Sequence, residues 1–342
     1  MKKDNPFILT FGRQPIKSIS RIDYLYEIKE NFKSDNHPTT IYMITGVRGS
    51  GKTVFMSNVT QDFRDDSNWI VVDLNPERDM LTALAAQLYD NAKVKHLFVK
   101  SEFGVSFNGL SFSIGGNRPA DDPEVVVNKI VEYLSSKNKN ILITIDDAVN
   151  NEHVRVFAHT FQGFMRNDYS VFLLMTGLYE NISGIQDSKS LTFLSRTPKL
   201  TLRPLNLVAI KENYQNIFSI SEELAAKMAK LTKGYAFAYQ ALGYLMWESE
   251  EKAINESLLA QYDYYLNEFV YNKLWESLTA KEKEYICKMC ENASEINNKE
   301  YSAYRDKLIK RGYLESKGRG KIEFVLPRFK EFVSNIILIA NA

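Results

Sequence analysis

Residues 46–53 read Gly-Val-Arg-Gly-Ser-Gly-Lys-Thr, the spacing G-x-x-x-x-G-K-[ST] of a phosphate-binding loop. Gly46, Gly49 and Gly51 let the backbone turn so that several N–H groups face one point. Those groups, the loop residue Ser50 and the start of the following helix are placed to hold a β-phosphate. Lys52 reaches the β- and γ-phosphates of a bound triphosphate, and Thr53 ligates Mg²⁺. The apolar run "IYMITG" at 41–46 supplies the strand that must lead into such a loop.

This chemistry needs a carboxylate at the end of a second buried strand to complete the Mg²⁺ shell. Residues 141–145, "ILITI", are apolar and rich in β-branched residues, as in a strand buried on both faces. Asp146 follows at its carboxyl end, where open parallel sheets bind ligands. Asp147 comes next and is the candidate for orienting an attacking water. It is one methylene shorter than Glu, so it either does that work or leaves hydrolysis slow. Thr176 closes the run "VFLLMTG" at 171–177, where its hydroxyl is expected to meet a γ-phosphate or the attacking water. Arg196 precedes a short strand. It is either a finger reaching a neighbouring subunit's γ-phosphate or an ordinary surface or capping arginine.

These residues require a scaffold, and the periodicity supplies one. Apolar runs at 41–46, 68–75, 141–145 and 171–177 alternate with helical stretches such as 76–90. That alternation predicts an α/β fold, a P-loop parallel sheet with helices on both faces. Within 101–117, Val105, Phe107, Leu110, Phe112 and Ile114 alternate around Asn108-Gly109, which predicts a hairpin. The insert carries no Lys or Arg, so it is expected to pack on the core or meet a protein rather than DNA. Beyond about residue 205 the pattern is helical, with Gly234 as a stop signal. Thr279 and Glu282 form a capping box that opens another helix. A further helix over 299–311 is followed by a glycine-punctuated basic turn at 316–321 between two apolar strands, a helix-then-wing layout.

Bulk composition narrows the function. The 342 residues carry a net charge of +1, with 44% hydrophobic and 25% charged residues, so no global field draws the chain onto nucleic acid or membrane. The longest apolar runs are about five residues, far below the roughly 20 that span a bilayer. No signal peptide is recognised at the start, and a cytoplasmic protein is expected. Cys287 and Cys290 form a C-x-x-C without further ligands nearby. They fall beside Ile286 and Met289 on one helix side and are expected to pack in the core. Charge is unevenly distributed: residues 279–335 hold 13 Lys and Arg against nine Asp and Glu, and 299–321 hold eight against three. That concentration fits a phosphate-binding footprint. Lys299, Tyr301, Ser302, Arg305 and Lys307 are candidates for the groove side of duplex DNA, with Arg319 and Lys321 on the wing.

The loop at 46–53, the strand ending in Asp146-Asp147, the polar strand end at Thr176 and the Ser-Arg before "LTLRPL" together resemble the AAA+ branch of P-loop ATPases. Within it the chain is similar to the origin-recognition/Cdc6-type ATPases of bacteria and archaea, with the signalling STAND ATPases as neighbours. "NPFILTFGRQPIKSISR", ending at Arg21, resembles the segment that lines the adenine pocket. "LTKGYAFAYQALGYLMW" at 231–247 resembles the lid-domain motif, and the final stretch a winged helix. The resemblance implies a core over 1–204, a helical lid over 205–274 and a winged-helix domain over 275–342. It implies ATP and Mg²⁺ as cofactors, duplex DNA as partner and assembly through the ATP site. Two departures stand out. The run Gly234-Tyr235-Ala236-Phe237-Ala238 lacks both the arginine that senses a γ-phosphate in initiator-type lids and the proline of STAND-like lids. A slowly hydrolysing switch is therefore expected, gripping DNA or, alternatively, a protein partner in defence or regulation. A loader serving a mobile element is a third reading.

Overall fold

The computed structural model describes residues 4–10, 19–99, 103–105, 112–114, 119–120, 122–292, 300–318 and 321–340. Its elements in chain order begin with α1 (Ile22–Lys33), β1 (Ile41–Thr45), α2 (Lys52–Asp65), β2 (Trp69–Leu74), α3 (Met80–Asp90) and α4 (Lys95–Val99). Three short strands follow, β3 (Phe103–Val105), β4 (Phe112–Ile114) and β5 (Pro119–Ala120). Then come α5 (Pro123–Ser136), β6 (Asn140–Ile145), α6 (Glu152–Arg166), β7 (Val171–Gly177), α7 (Tyr179–Gln186) and β8 (Lys199–Thr201). The chain divides into two contact units. One comprises Ile22–Thr45 and Phe55–Thr201, the other Met1–Arg21, Gly46–Val54 and Leu202–Ala342.

The first unit is built on a five-stranded sheet ordered β2-β6-β7-β1-β8. All four pairings are parallel. The near-continuous apolar runs of β6 and β7 are what burial on both faces demands: every residue of Ile141–Ile145 and Val171–Gly177 is buried. On one face Ile141, Ile143, Val171, Leu173 and Met175 share a core with Leu84, Leu88, Ile130, Leu134, Phe157 and Phe161 from α3, α5 and α6. The opposite face holds an aromatic cluster of Phe32, Tyr42, Phe63, Trp69 and Phe172. Each large side chain taken fully from water contributes about 1.5–3 kcal/mol before entropy is set against it. Local signals fix the helix starts: Asp79, Asp122 and Asn151 accept backbone N–H bonds at the heads of α3, α5 and α6, as N-cap carboxylates and amides do. The insert pairs β3 antiparallel to β4 with Val105 opposite Phe112, the register a turn centred on Asn108-Gly109 requires. That turn itself lies outside the described residues.

The second unit carries the glycine-rich segment Gly46–Val54 with the helical C-terminal half. Its helices are α8 (Leu207–Phe218), α9 (Glu222–Thr232), α10 (Ala236–Glu248), α11 (Glu256–Leu266), α12 (Asn272–Glu276) and α13 (Ala280–Asn292). They are followed by α14 (Ser302–Lys310), β9 (Leu314–Ser316), β10 (Ile322–Phe324) and α15 (Phe329–Ala340). The Phe7 ring from the N-terminal segment stacks on Phe218 at 5.6 Å and meets Tyr214 tilted at 5.9 Å and Tyr239 edge-on at 5.6 Å. The Tyr214 hydroxyl donates to the Tyr239 carbonyl at 2.7 Å. The capping box forms as expected: the Thr279 amide donates to Glu282 Oε2 at 2.8 Å, and the Glu282 amide to Thr279 Oγ1 at 3.3 Å. Strands β9 and β10 form an antiparallel ribbon after α14. Arg328 grips Asp263 of α11 through two guanidinium nitrogens. The Lys233 ammonium donates to the Phe324 carbonyl at 2.9 Å. The C-terminal elements are thereby tied to the helices before them.

Candidate phosphate site and basic module

The loop leaves β1 at Thr45 and ends where α2 begins at Lys52. Gly49 and Gly51 have φ of +74° and +87°, the left-handed region in which a side chain is strained. Space is short at two of the loop glycines: a Cβ on Gly46 would stand 2.6 Å from Ser50 Oγ, and one on Gly49 would stand 2.3 Å from Tyr235 Oη. Lys52 is 7% exposed, and its ammonium donates to the Gly46 and Val47 carbonyls at 3.2 Å each. The Ser50 hydroxyl is buried without a hydrogen-bond partner among the described residues. A buried hydroxyl without a partner is costly unless an anion or water can engage it.

The outer side of the loop is held by residues far away in sequence. Tyr235 Oη donates to the Arg48 carbonyl at 2.5 Å. The Phe237 amide, in the first turn of α10, donates to the Gly49 carbonyl at 3.0 Å. Arg21 donates through Nη2 to the Ser50 carbonyl and through Nε to the Arg203 carbonyl, both at 2.8 Å. Burial pushes the Tyr235 phenol far above its ordinary range, so it stays a donor. The sequence drew attention to 234–238 for what it lacks, and to Arg21 for the adenine side. Neither position signalled a hold on the loop's carbonyls, because a hydrogen bond across 187 residues leaves no local pattern.

At the sheet's carboxyl edge Asp146 follows directly on β6. Thr176, fully buried in β7, donates its hydroxyl to Asp146 Oδ1. The Asp147 amide donates to the same carboxylate oxygen at 3.1 Å and to Thr176 Oγ1 at 3.3 Å. Asp147 adopts φ +49°, a conformation Asp tolerates better than most residues, and it is exposed. The Thr176 hydroxyl is thus engaged by Asp146. Arg196 is exposed at the end of a 3-10 turn, Thr192–Arg196.

In the C-terminal module, Glu282 is fully buried and pairs with Lys307 at 3.0 Å and Arg311 at 3.2 Å. Burial pushes its carboxyl up, but the bonds from Thr279 and Lys307 and the charge of Arg311 outweigh this and hold it below the ordinary range. The expected groove side is corrected at one position: Tyr301 is 2% exposed and stacks on Tyr285 at 5.4 Å, so its ring belongs to the core. Arg305 pairs with Asp306 at 3.0 Å and Lys317 with Glu315 at 2.7 Å. Ser302 opens α14, half-buried. Lys310 and Lys321 are exposed, with no ion pair among the described residues. Lys299 and Arg319 lie outside the described residues. Cys287 and Cys290 are free, half-buried thiols. Burial pushes both up, Cys290 to about 12, which leaves neither as a ready nucleophile. Among the described residues no His, Cys, Asp and Glu group is placed to hold a metal ion by itself, and no helix is long and apolar enough to cross a membrane.

The whole fold has counterparts among solved structures. A Walker-type ATPase of Pyrococcus abyssi superposes with a TM-score of 0.62 at 11% identity, covering 95% of this chain and 99% of that one. The ORC2 protein of Aeropyrum pernix, solved in ADPNP–ADP complexes, gives 0.56 at 14% identity, covering 97% of each chain. Cdc6p of Pyrobaculum aerophilum gives 0.51 at 13%, again over 97% of each. In sequence, a domain family of unknown function (DUF8462) matches residues 268–333. No curated protein sequence matches. The chain thus shares its fold with the Walker-type ATPase, ORC2 and Cdc6p structures.

Proposed function

We propose that this chain binds ATP with Mg²⁺ as a slowly hydrolysing AAA+ switch whose nucleotide state governs assembly and the grip of its C-terminal module on duplex DNA. The observation that carries the nucleotide reading is the loop itself, with its buried Lys52 side chain and a Ser50 hydroxyl that has no partner among the described residues. Both fit a phosphate, and the residues Gly46, Gly49, Ser50, Gly51, Lys52 and Thr53 would hold it. Thr53 and Asp146 offer the hard oxygen donors Mg²⁺ prefers, and one or two protein ligands suffice when the phosphates supply the rest. Bound Mg²⁺ would neutralise charge on the β- and γ-phosphates. Thr176 then acts by fixing the Asp146 carboxylate. Asp147 orients water, and its short side chain at a left-handed position supports slow turnover, as does the absence of Arg and Pro in 234–238. Arg196, exposed, is the finger offered to a neighbouring copy. The structural likeness to the ORC2 protein solved with ADPNP and ADP supports this reading.

We read 1–204 as the nucleotide-binding core with its adenine-side segment, 205–274 as the lid and 275–342 as a winged helix. The order α13, α14, then the β9–β10 ribbon supports the last assignment. Arg305, Lys307, Lys310 and Lys321 are the described groups offered to phosphates, with Ser302 at the start of the helix. A second reading, in which the module grips a protein in a STAND-like cytoplasmic switch, is favoured by the acid partners of Arg305, Lys307 and Lys317. The deciding experiment is fluorescence anisotropy of a labelled duplex at several salt concentrations with ATP, ADP or neither. Salt-dependent binding that differs between nucleotide states is expected, and no binding in any state rejects the DNA reading in favour of the protein partner.

A further inference from the structure

Three consecutive carbonyls of the phosphate loop, those of Arg48, Gly49 and Ser50, are each taken by a donor from outside the loop. A peptide unit is planar, and in the trans form its C=O and the next residue's N–H point in opposite directions. There is no cis peptide among the described residues. Holding the Arg48 carbonyl therefore aims the Gly49 N–H the other way, and holding the Ser50 carbonyl does the same for Gly51. The Ser50 N–H is spent within the loop on the Val47 carbonyl at 3.1 Å. The Gly49 and Gly51 N–H groups have no acceptor among the described residues. They also belong to the loop glycines at positive φ, where the unsupported backbone has most freedom to turn away.

We propose that Tyr235 and Arg21 are positioning residues for phosphate binding, which hold the peptides 48–49 and 50–51 from the outside so that the Gly49 and Gly51 N–H groups stay turned toward an anion. This rests on the nucleotide reading above. The middle peptide is held by the Phe237 backbone amide, which no side-chain substitution removes. Tyr235 and Phe237 open α10, so seating this helix and presenting the loop are one event. The helix contributes here without the arginine its motif lacks. Arg21 ties the same loop to the Arg203 carbonyl, just before α8. Two donors on one rigid guanidinium suit this bridge, and a lysine ammonium is a poor substitute.

The test is isothermal titration of ADP into the full chain and its Tyr235→Phe, Arg21→Met and Arg21→Lys variants, with hydrogen–deuterium exchange of each. Each variant is expected to bind ADP about three- to tenfold more weakly, the weight of one hydrogen bond. Arg21→Lys should not restore wild-type affinity, and faster exchange should be confined to residues 46–53 and the start of α10. Unchanged ADP affinity, full rescue by lysine, or exchange raised throughout the helical half would overturn the proposal. If Tyr235→Phe fails to fold, the Arg21 pair carries the same test. A wild-type chain that takes no ADP rejects the nucleotide reading itself, which separates the two failures.

Discussion

Gly49 and Tyr235 are fitted to each other: a methyl group on Gly49 would stand 2.3 Å from the tyrosine hydroxyl, and that hydroxyl is bonded to the carbonyl just before Gly49. The absence of a side chain in the loop and the presence of a phenol on α10 are one feature. Gly49→Ala is therefore expected to destabilise by about 1–3 kcal/mol, from backbone strain at φ +74° and the collision together. Adding Tyr235→Phe removes the colliding oxygen, so the double variant should be more stable than the sum of the two single losses predicts. Urea unfolding of the four proteins measures that coupling, and simple additivity would contradict the fit.

Glu282 makes a second prediction through pH. Its folded-state carboxyl is held below the ordinary glutamate range, so its contribution is complete above the unfolded value and is lost as pH falls through the folded value. Glu282→Ala strands the buried Arg311 and is expected to cost about 3–5 kcal/mol at neutral pH. Glu282→Gln should cost less, and the gap between it and wild type should narrow as pH drops below about 4.5. Denaturant melts from pH 3 to 7 give the answer, and a gap that widens toward acid would reverse the sign.

Much of this was legible beforehand. The strands at 141–145 and 171–177 announced themselves because a sheet buried on both faces demands unbroken apolar runs, and the capping box announced itself through Thr279 and Glu282 three residues apart. The turn at 46–51 was legible because its glycines are local signals, and two of them, Gly49 and Gly51, do take positive φ. What the linear chain concealed was pairing at a distance. Arg305 and Lys307 count as positive charge in the sequence but have carboxylate partners in the fold. Tyr301 sits in a basic stretch yet packs on Tyr285. Arg21 and Tyr235 meet the loop only because the chain returns to it twice.

If the C-terminal module binds duplex DNA, the exposed Lys310 and Lys321 should carry a measurable share. Replacing either with Ala is expected to lower the slope of log affinity against log salt by about 1, evenly across DNA sequences. Anisotropy titrations read the slope, and one unchanged in the double variant would move the contact elsewhere.

The thiols should behave as core groups. With Cys290 pushed up to about 12 and Cys287 raised, alkylation by iodoacetamide in the native chain at pH 7.5 should be far slower than in urea. Rapid native labelling followed by mass spectrometry would show that one of them is an accessible thiolate.

Everything rests on a phosphate in the loop at 46–53. The decisive measurement is calorimetric titration of ATP and ADP, with Mg²⁺, into wild type and Lys52→Ala. Wild type should bind with a single-site isotherm, and Lys52→Ala should lose affinity by at least tenfold while keeping its fold by circular dichroism. Equal binding by the two proteins, or none by a folded wild type, would contradict the assignment of the site.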